Sequence, residues 1–331
     1  MKRKVLFRFA AIIAVIAGTL LLSTSCSNPA GGGGDPPAPP LYIITGSAPS
    51  SFTATRGGTA IPDGSGVSVT NLMTAIRTHA AGADITIQFG SGGDDVLDIG
   101  SADIAFYNNN NWGSIITLTG SITGSTINSG LTVQVGQNAP ISIISTANIS
   151  KTAGNGHALQ YRGIGTLTIN GGTISRMHTD GTSNSAIYIE GTNARLIMTG
   201  GTVETTSTPA ILSTSSHAEA VSISGGTVQS STGPAISTFE GNFPGVIRIS
   251  GTAIIKSQNT TDTQGTIWLR DNTAGATPRL IMTGGQVIND ADDPNARAIN
   301  NTSTNGTMQL PAGHAGITGK VFERGTEITT D

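Results

Sequence analysis

One pattern recurs five times along the chain, as LTINGGTIS at 167–175, LIMTGGTVE at 196–204, VSISGGTVQ at 221–229, IRISGTAII at 247–255 and LIMTGGQVI at 280–288. Each copy begins with two apolar residues separated by one residue of any type and continues with a small polar residue, one or two glycines and a further apolar residue. The leading glycines of successive copies are 29, 25, 26 and 33 residues apart. A period of this length is typical of solenoids and propellers.

The alternation predicts short β-strands whose apolar side chains share one face, so Leu167 and Ile169 point inward while Thr168 points outward. A glycine corner lets the chain turn sharply and continue as a second strand. A single unit has no partner for its apolar face, so we expect the units to stack, with Leu196 and Val221 on adjacent rungs about 4.8 Å apart. The unequal spacing disfavours a propeller, whose blades repeat about every 40 residues.

These stacked units resemble the right-handed parallel β-helix of pectate-lyase-like proteins, over residues 85–310. The resemblance implies an all-β, three-faced solenoid, and we predict about seven coils from the number of recognisable units. Residues 69–81 have a helical apolar spacing, with Thr70 or Asn71 as the N-cap, which predicts an N-terminal capping helix within a cap at 41–84. Residues 311–331 are expected to cap the other end, with a short hairpin over 317–328.

The first 25 residues have a basic start, an apolar stretch at 9–22 and small residues before Cys26, which is the only cysteine. This order is typical of a signal peptide and resembles a bacterial lipoprotein signal, which implies that Cys26 carries the lipid. A Gly/Pro-rich tether at 26–40 follows. We therefore predict an exported lipoprotein of the outer membrane or cell surface, with the membrane as a partner through the lipid anchor. Ordinary secretion with an unmodified cysteine stays open as the alternative.

The composition argues against several functional classes. Loss of the leader would change 17 basic against 20 acidic residues to 13 against 20, because four basic residues lie in the first eight positions. This excess of negative charge disfavours nucleic acid as a partner. A single cysteine excludes a disulfide framework and any zinc site built from several cysteines. We expect no cofactor.

The repeats also predict which side chains face outward. On the first strand these are Thr168, Ile197, Ser222, Arg248 and Ile281, and on the third strand they are Tyr188, Leu212, Ser237, Trp268 and Asn300. The resemblance implies that a lyase of this fold would place several carboxylates for calcium beside an Arg or Lys, and a hydrolase needs a carboxylate pair. Arg248 has no acidic neighbour in its column. We therefore predict no catalytic residue.

Aromatic residues supply the candidate ligand contacts. Phe106, Tyr107 and Trp112 flank an Asn-rich segment and could stack on sugar rings or anchor a protein, with a core role for Phe106 and Trp112 as the alternative. Tyr188, Trp268 and Arg248 complete this candidate set. We predict no metal site. Asp94, Asp95 and Asp98 are weak candidates for calcium, with a solvated turn as the alternative.

The combined expectation is a lipid-anchored, non-catalytic β-helix protein of the cell envelope that acts in adhesion or surface interaction. Its expected partner, besides the membrane, is a glycan or an envelope or host protein. Two alternatives stay open. One is a polysaccharide lyase or glycoside hydrolase with an atypical site near Arg248, Tyr188 or Trp268, and the other is a carbohydrate-binding protein without turnover.

Overall fold

The computed structural model describes residues 37–107, 111–126, 131–178, 184–239, 245–270 and 278–329. Three predicted features lie outside these ranges: the signal peptide at 1–25, Cys26 with the tether as far as residue 36, and 108–110 of the Asn-rich segment. From Pro39 onward the chain forms one structural unit.

Three antiparallel strands and one helix precede the repeats. The strands are β1 (Leu41–Thr45), β2 (Phe52–Arg56) and β3 (Thr59–Val67), and the helix is α1 (Val69–Ala80). The N-cap is Ser68, whose hydroxyl accepts the N–H of Asn71, so the predicted caps Thr70 and Asn71 are wrong. The reason is that Ser68 is still extended, which directs its oxygen toward the free N–H groups of the first turn.

The helix covers the N-terminal end of the apolar interior, as the sequence predicts. Its residues Leu72 and Ile76 are fully buried and belong to the same core as Ile104 of the first coil. The helix packs against β2, β3 and the first strand of the third face. It therefore shields apolar side chains that the open end of a solenoid would otherwise expose.

The coils follow as short strands joined by connections of unequal length. In chain order the strands are β4 (Ile85–Phe89), β5 (Val96–Asp98), β6 (Ile104–Phe106), β7 (Ile115–Gly124), β8 (Val133–Val135), β9 (Ser142–Ser145), β10 (Asn148–Lys151), β11 (Leu159–Tyr161), β12 (Thr166–Ile169), β13 (Thr173–Arg176), β14 (Ile187–Gly191), β15 (Arg195–Met198), β16 (Thr202–Thr205), β17 (Ile211–Ser215), β18 (Val221–Ile223), β19 (Thr227–Ser230), β20 (Ile236–Thr238), β21 (Ile247–Ile249), β22 (Ile254–Ser257), β23 (Ile267–Leu269), β24 (Leu280–Met282), β25 (Gln286–Asn289), β26 (Arg297–Asn301), β27 (Met308–Gln309), β28 (Ile317–Thr318), β29 (Lys320–Glu323) and β30 (Thr326–Glu327).

Each coil contributes strands to three parallel sheets, one on each face of the solenoid. The first face comprises β4, β7, β9, β12, β15, β18, β21, β24 and β27. The second comprises β5, the end of β7, β10, β13, β16, β19, β22, β25 and β28. The third comprises β6, β8, β11, β14, β17, β20, β23, β26 and β29.

The architecture is an all-β parallel solenoid of about eight turns, consistent with the right-handed β-helix that the sequence predicts. It has about one turn more than predicted. The first coil was not recognised from the sequence pattern, because residues 90–95 connect β4 to β5 instead of a two-glycine corner.

The predicted stacking of the repeats is confirmed by the strand register. Leu167 pairs with Leu196, which pairs with Val221, and the column continues through Ile247 to Leu280. All five side chains are fully buried. Like residues therefore lie on like residues along the axis, and the interior of the solenoid is apolar.

The glycine corners have the positive φ that the sequence predicts. At Gly226 φ is +79°, and a Cβ placed there would lie 2.5 Å from the carbonyl oxygen of Gly201 on the previous coil. A side chain is thus excluded by the backbone conformation and also by the close approach of the previous coil. The corner joins the first and second faces in three residues, which brings β18 and β19 close together in sequence.

A hairpin closes the C-terminal end, in the region predicted over 317–328. Strands β29 and β30 pair in an antiparallel way, and Arg324 in the turn has a φ of +52°. Its guanidinium donates to the carbonyl oxygens of Ser303 and Gly306 at 3.4 and 3.2 Å. These bonds hold the hairpin against the preceding coil.

Candidate functional site

An open groove on the second face is lined mainly by polar side chains. We call it the second-face groove and define it by Met177, Glu204, Gln229, Lys256, Gln258 and Asp290. Its volume is about 230 Å³. It runs across five successive coils, from Met177 after β13 to Asp290 after β25, because β13, β16, β19, β22 and β25 pair in that order.

The floor of the groove is a column of three long side chains. Glu204, Gln229 and Lys256 occupy the third position of β16, β19 and β22, the outward position between two buried aliphatic or hydroxyl residues. Neighbouring strands in a sheet are about 4.8 Å apart, so successive side chains of the column have that spacing. The amide nitrogen of Gln229 donates to the Glu204 carboxylate at 2.7 Å. No residue of the described ranges forms an ion pair with Lys256.

The edge of the groove is formed where the strands end. Met177, Gln258 and Asp290 follow β13, β22 and β25 and are exposed, and the Met177 side chain is 49% exposed. Glu204 and Ile288 are three rungs apart in the register, and Asp290 directly follows the strand that contains Ile288. The two carboxylates of the groove are thus separated by roughly 14 Å along the axis.

Directly beneath the edge, a buried polar column replaces the aliphatic core. It occupies the last position of six successive second-face strands, from β10 to β25, and consists of Lys151, Arg176, Thr205, Ser230, Ser257 and Asn289. These side chains bond the connection that leads to the third face. Arg176 donates to Gly156 O, Ser230 donates to Thr208 O, and Asn289 donates to Arg297 O. The connections next to the groove are therefore held by hydrogen bonds.

The buried polar column contains two cations on adjacent rungs. Lys151 and Arg176 are 1% and 0% exposed. Burial lowers the pKa of the Lys151 ammonium, and the Arg176 guanidinium lowers that pKa further. This column was not predicted, although the sequence contains its signal as a hydroxyl residue two positions after the apolar residue that follows each corner, at Thr205, Ser230 and Ser257.

On the first face, Arg248 is not isolated, although its column contains no acid. Its Nε lies 3.5 Å from the carboxylate of Glu219, which also accepts from Arg195 at 2.6 Å. Glu219 belongs to the connection that precedes β18, so a column of strand residues could not reveal it. The carboxylate lies between two guanidinium groups and offsets part of their charge.

On the third face, Tyr188 is half-buried and has several contacts. Its ring stacks on His157 with centroids 4.6 Å apart, and its hydroxyl accepts from Thr214 at 3.3 Å. Burial raises the pKa of the Tyr188 phenol. Nδ1 of His157 accepts the Ser185 N–H at 3.0 Å. Tyr188 is thus anchored within the face by contacts to both its ring and its hydroxyl.

The outward positions of the third face are less exposed than predicted. Leu212, Ser237 and Asn300 are 4%, 1% and 1% exposed. For Asn300 the cause is visible, since its amide donates to the carbonyl oxygen of Thr263 in the connection that folds over it. Trp268 remains half-buried, with the Arg270 guanidinium 4.5 Å from its ring centroid.

Tyr188 and Trp268 do not form one contact surface. They are three rungs apart in the register, roughly 14 Å. The positions between them are the buried Leu212 and Ser237.

The aromatic segment divides into core and surface. Phe106 is fully buried, so it cannot contact a ligand, and Trp112 packs edge-on against it with ring centroids 5.1 Å apart. This agrees with the alternative core role for both residues. Tyr107 is 44% exposed and borders a cavity of about 130 Å³ with Arg77 and Asp103.

Gln134 organises the polar side of this small cavity. Its amide nitrogen donates to the Tyr107 hydroxyl at 2.8 Å and also contacts the Asp103 carboxylate. Burial raises the pKa of the Tyr107 phenol, and the Asp103 charge adds to the increase. Both polar groups are engaged within the protein.

Two of the three candidate calcium ligands accept hydrogen bonds from within the protein. Asp95 accepts from the N–H and the hydroxyl of Ser91 at 2.6 and 2.8 Å, bonds that lower the pKa of its carboxyl. Asp98 accepts from the Ser125 hydroxyl and from the Gly100 N–H, while Asp94 is exposed. Among the residues with described positions, no three metal-ligating side chains come together.

In the described ranges, no helix has the length and apolar character needed to cross a membrane. Comparison with protein-family models, with curated proteins and with solved structures gave no match.

Proposed function

We propose that this protein is an exported, lipid-anchored surface protein that binds a partner without chemical turnover. The anchor is proposed from the sequence, since the signal peptide and Cys26 lie outside the described residues. The observation that carries the binding role is the second-face groove, where Glu204, Gln229 and Lys256 lie on consecutive rungs of a continuous ladder. Polar groups at fixed spacing on a rigid surface suit an extended ligand.

The state of the charged groups favours binding over catalysis. The two groove carboxylates, on Glu204 and Asp290, are roughly 14 Å apart, whereas glycosidase pairs are about 5–9.5 Å apart. Arg248 shares the Glu219 carboxylate with Arg195, so its guanidinium already has an acidic partner within the protein. A guanidinium held in this way is a poor candidate for the proton-accepting group of a lyase.

The enzymatic alternative has a direct test. The full chain would be incubated with neutral and acidic polysaccharides, and unsaturated or reducing ends would be measured for the wild type, Arg248→Ala and Thr168→Ala. We expect no release above the no-protein control in any of the three. Release by the wild type and by Thr168→Ala that Arg248→Ala abolishes would replace the binding role with catalysis.

The anchor is tested by metabolic labelling. Cells that express the wild type should incorporate radiolabelled palmitate into the protein, and Cys26→Ala should remove the label. Protease added to intact cells should degrade the anchored protein if it is on the outer surface. Labelling of Cys26→Ala at the wild-type level would contradict the anchor, and protection from protease would contradict surface display.

A further inference from the structure

We propose that the second-face groove binds a single uncharged polysaccharide chain laid parallel to the solenoid axis. This inference deepens the proposed function, on which it rests, by naming the ligand class and the site. Three properties of the groove support it: the spacing of its side chains, their hydrogen-bonding chemistry and their charge.

The spacing matches a linear repeating ligand. Glu204, Gln229 and Lys256 project from three consecutive rungs, so the groove repeats about every 4.8 Å along the axis. A pyranose unit in an extended chain repeats at a similar distance, so successive sugars meet successive side chains. The volume of about 230 Å³ is the room of about eight liquid waters. This is enough for a sugar ring.

The side chains offer what sugar hydroxyls require. A hydroxyl donates one hydrogen bond and accepts others, so a sugar site needs both carboxylate or amide oxygens and N–H donors. Glu204 and Asp290 supply acceptors, Lys256 supplies a donor, and Gln229 supplies both. The 2.7 Å bond from Gln229 to Glu204 fixes the orientation of both groups before a ligand arrives.

The groove is a poor site for an extended peptide. A peptide that adds to a sheet gains its affinity from main-chain hydrogen bonds at a free strand edge. The groove lies on the face of β16, β19 and β22, and β19 already pairs with both of its neighbours. Only side chains are available for contacts here, which favours a ligand with hydroxyl groups.

The charge of the groove selects against acidic polysaccharides. It contains two carboxylates, on Glu204 and Asp290, and one ammonium, on Lys256. The whole chain also has an excess of three negative charges. A polyuronate would therefore be repelled by the groove and by the protein as a whole, whereas an uncharged chain experiences no such penalty.

Affinity electrophoresis and titration calorimetry of the full chain in detergent would test this proposal. The probes are a soluble neutral β-glucan, a galactomannan and, as the acidic comparison, polygalacturonate. Gln229→Ala and Lys256→Ala are the groove variants. Gln286→Ala is the matched control, because Gln286 lies at the exposed start of β25 on the same face but outside the groove.

We expect at least one neutral polysaccharide to bind the wild type and Gln286→Ala with the same Kd. Each groove variant should raise that Kd at least tenfold while its circular dichroism and thermal transition stay unchanged. Binding that survives both groove variants, stronger binding of polygalacturonate, or no binding of either neutral polymer would each overturn the proposal. The palmitate label and the protease experiment do not depend on the groove, so these results leave the proposed export and anchoring to be judged separately.

Discussion

Acidification from pH 7 to pH 4 should destabilise the protein through one buried histidine, His157. Its side chain is 9% exposed, stacks on Tyr188 and uses Nδ1 to accept the N–H of Ser185. Burial, with a smaller contribution from the nearby Arg176 guanidinium, lowers the pKa of His157 from 6.5 to about 4. Protonation in the folded state would convert the Nδ1 acceptor into a donor that faces another donor.

The sign and the size of the effect follow from the two pKa values. The pKa in the folded state is below the unfolded value, so the unfolded chain binds the proton first as the pH falls. The stability that depends on the neutral imidazole is complete above pH 6.5 and is lost between pH 6.5 and pH 4. The separation from 6.5 to about 4, at about 1.4 kcal/mol per pKa unit, gives a loss of about 3 kcal/mol.

Urea unfolding at pH 7, 6, 5 and 4 would measure this loss for the wild type, His157→Gln and His314→Gln. Glutamine removes the titration but can still accept the Ser185 N–H, so its curve should lose about 3 kcal/mol less than the wild type. His314 lies in the C-terminal turn, and its variant should follow the wild type. Parallel curves for the wild type and His157→Gln would refute the reasoning, because carboxylates common to both proteins would then account for all of the acid sensitivity.

Three further substitutions, two of them with a comparison variant, test the fold. In urea unfolding, Ile223→Asp should lower the free energy of unfolding by more than about 4 kcal/mol, because it buries an unpaired charge. Thr227→Ala, at a half-buried position, should change it by less than about 0.5 kcal/mol. Equal losses would contradict the assignment of Ile223 as inward and Thr227 as outward. Gly226→Ala should lower the free energy of unfolding by more than about 2 kcal/mol. Gly58 has a similar φ of +78° but open space where a Cβ would lie, so Gly58→Ala should lower it by about 1 kcal/mol. A similar loss at both positions would show that the close approach of the coils is unimportant. Ser68→Ala should cost about 1 kcal/mol through loss of the N-cap of α1, and an unchanged unfolding curve would show that the Asn71 N–H is satisfied by water.

The register of the strands could be predicted because the pattern itself specifies it. Each glycine corner marks the same point of the coil, so aligning the corners aligns Leu196, Val221 and Ile247. A shift of one residue would move all of these side chains to the outside, which would be energetically costly for an apolar interior. The repeat alone therefore constrains strongly which side chains point inward.

Contacts made by the connections could not be predicted in this way. The distance from the glycine corner to the third strand varies from 10 to 15 residues, so no alignment fixes where a connection residue lies. Thr263 covers Asn300 from such a connection, and Glu219 reaches Arg248 from the connection between β17 and β18. The third-face column was consequently predicted to be more exposed than it is. The column of Arg248 contains no acid, as predicted, but its contact with Glu219 was missed.

The second-face groove is built from two layers of side chains, an outer polar layer and a buried hydroxyl layer, which the repeat places at adjacent positions of each strand. On the outside stand Glu204 and Gln229, and one position further along each strand lie the buried hydroxyls of Thr205 and Ser230. Ser230 accepts the N–H of Gly233 and donates to the carbonyl oxygen of Thr208, so it ties its own connection to that of the previous coil. The strand ends that carry the groove are fixed by these bonds in addition to the ladder. Because these bonds already order the groove, the entropy cost of forming the proposed complex falls mainly on the polysaccharide. A row of individually weak hydroxyl contacts is then enough for binding, without an aromatic platform.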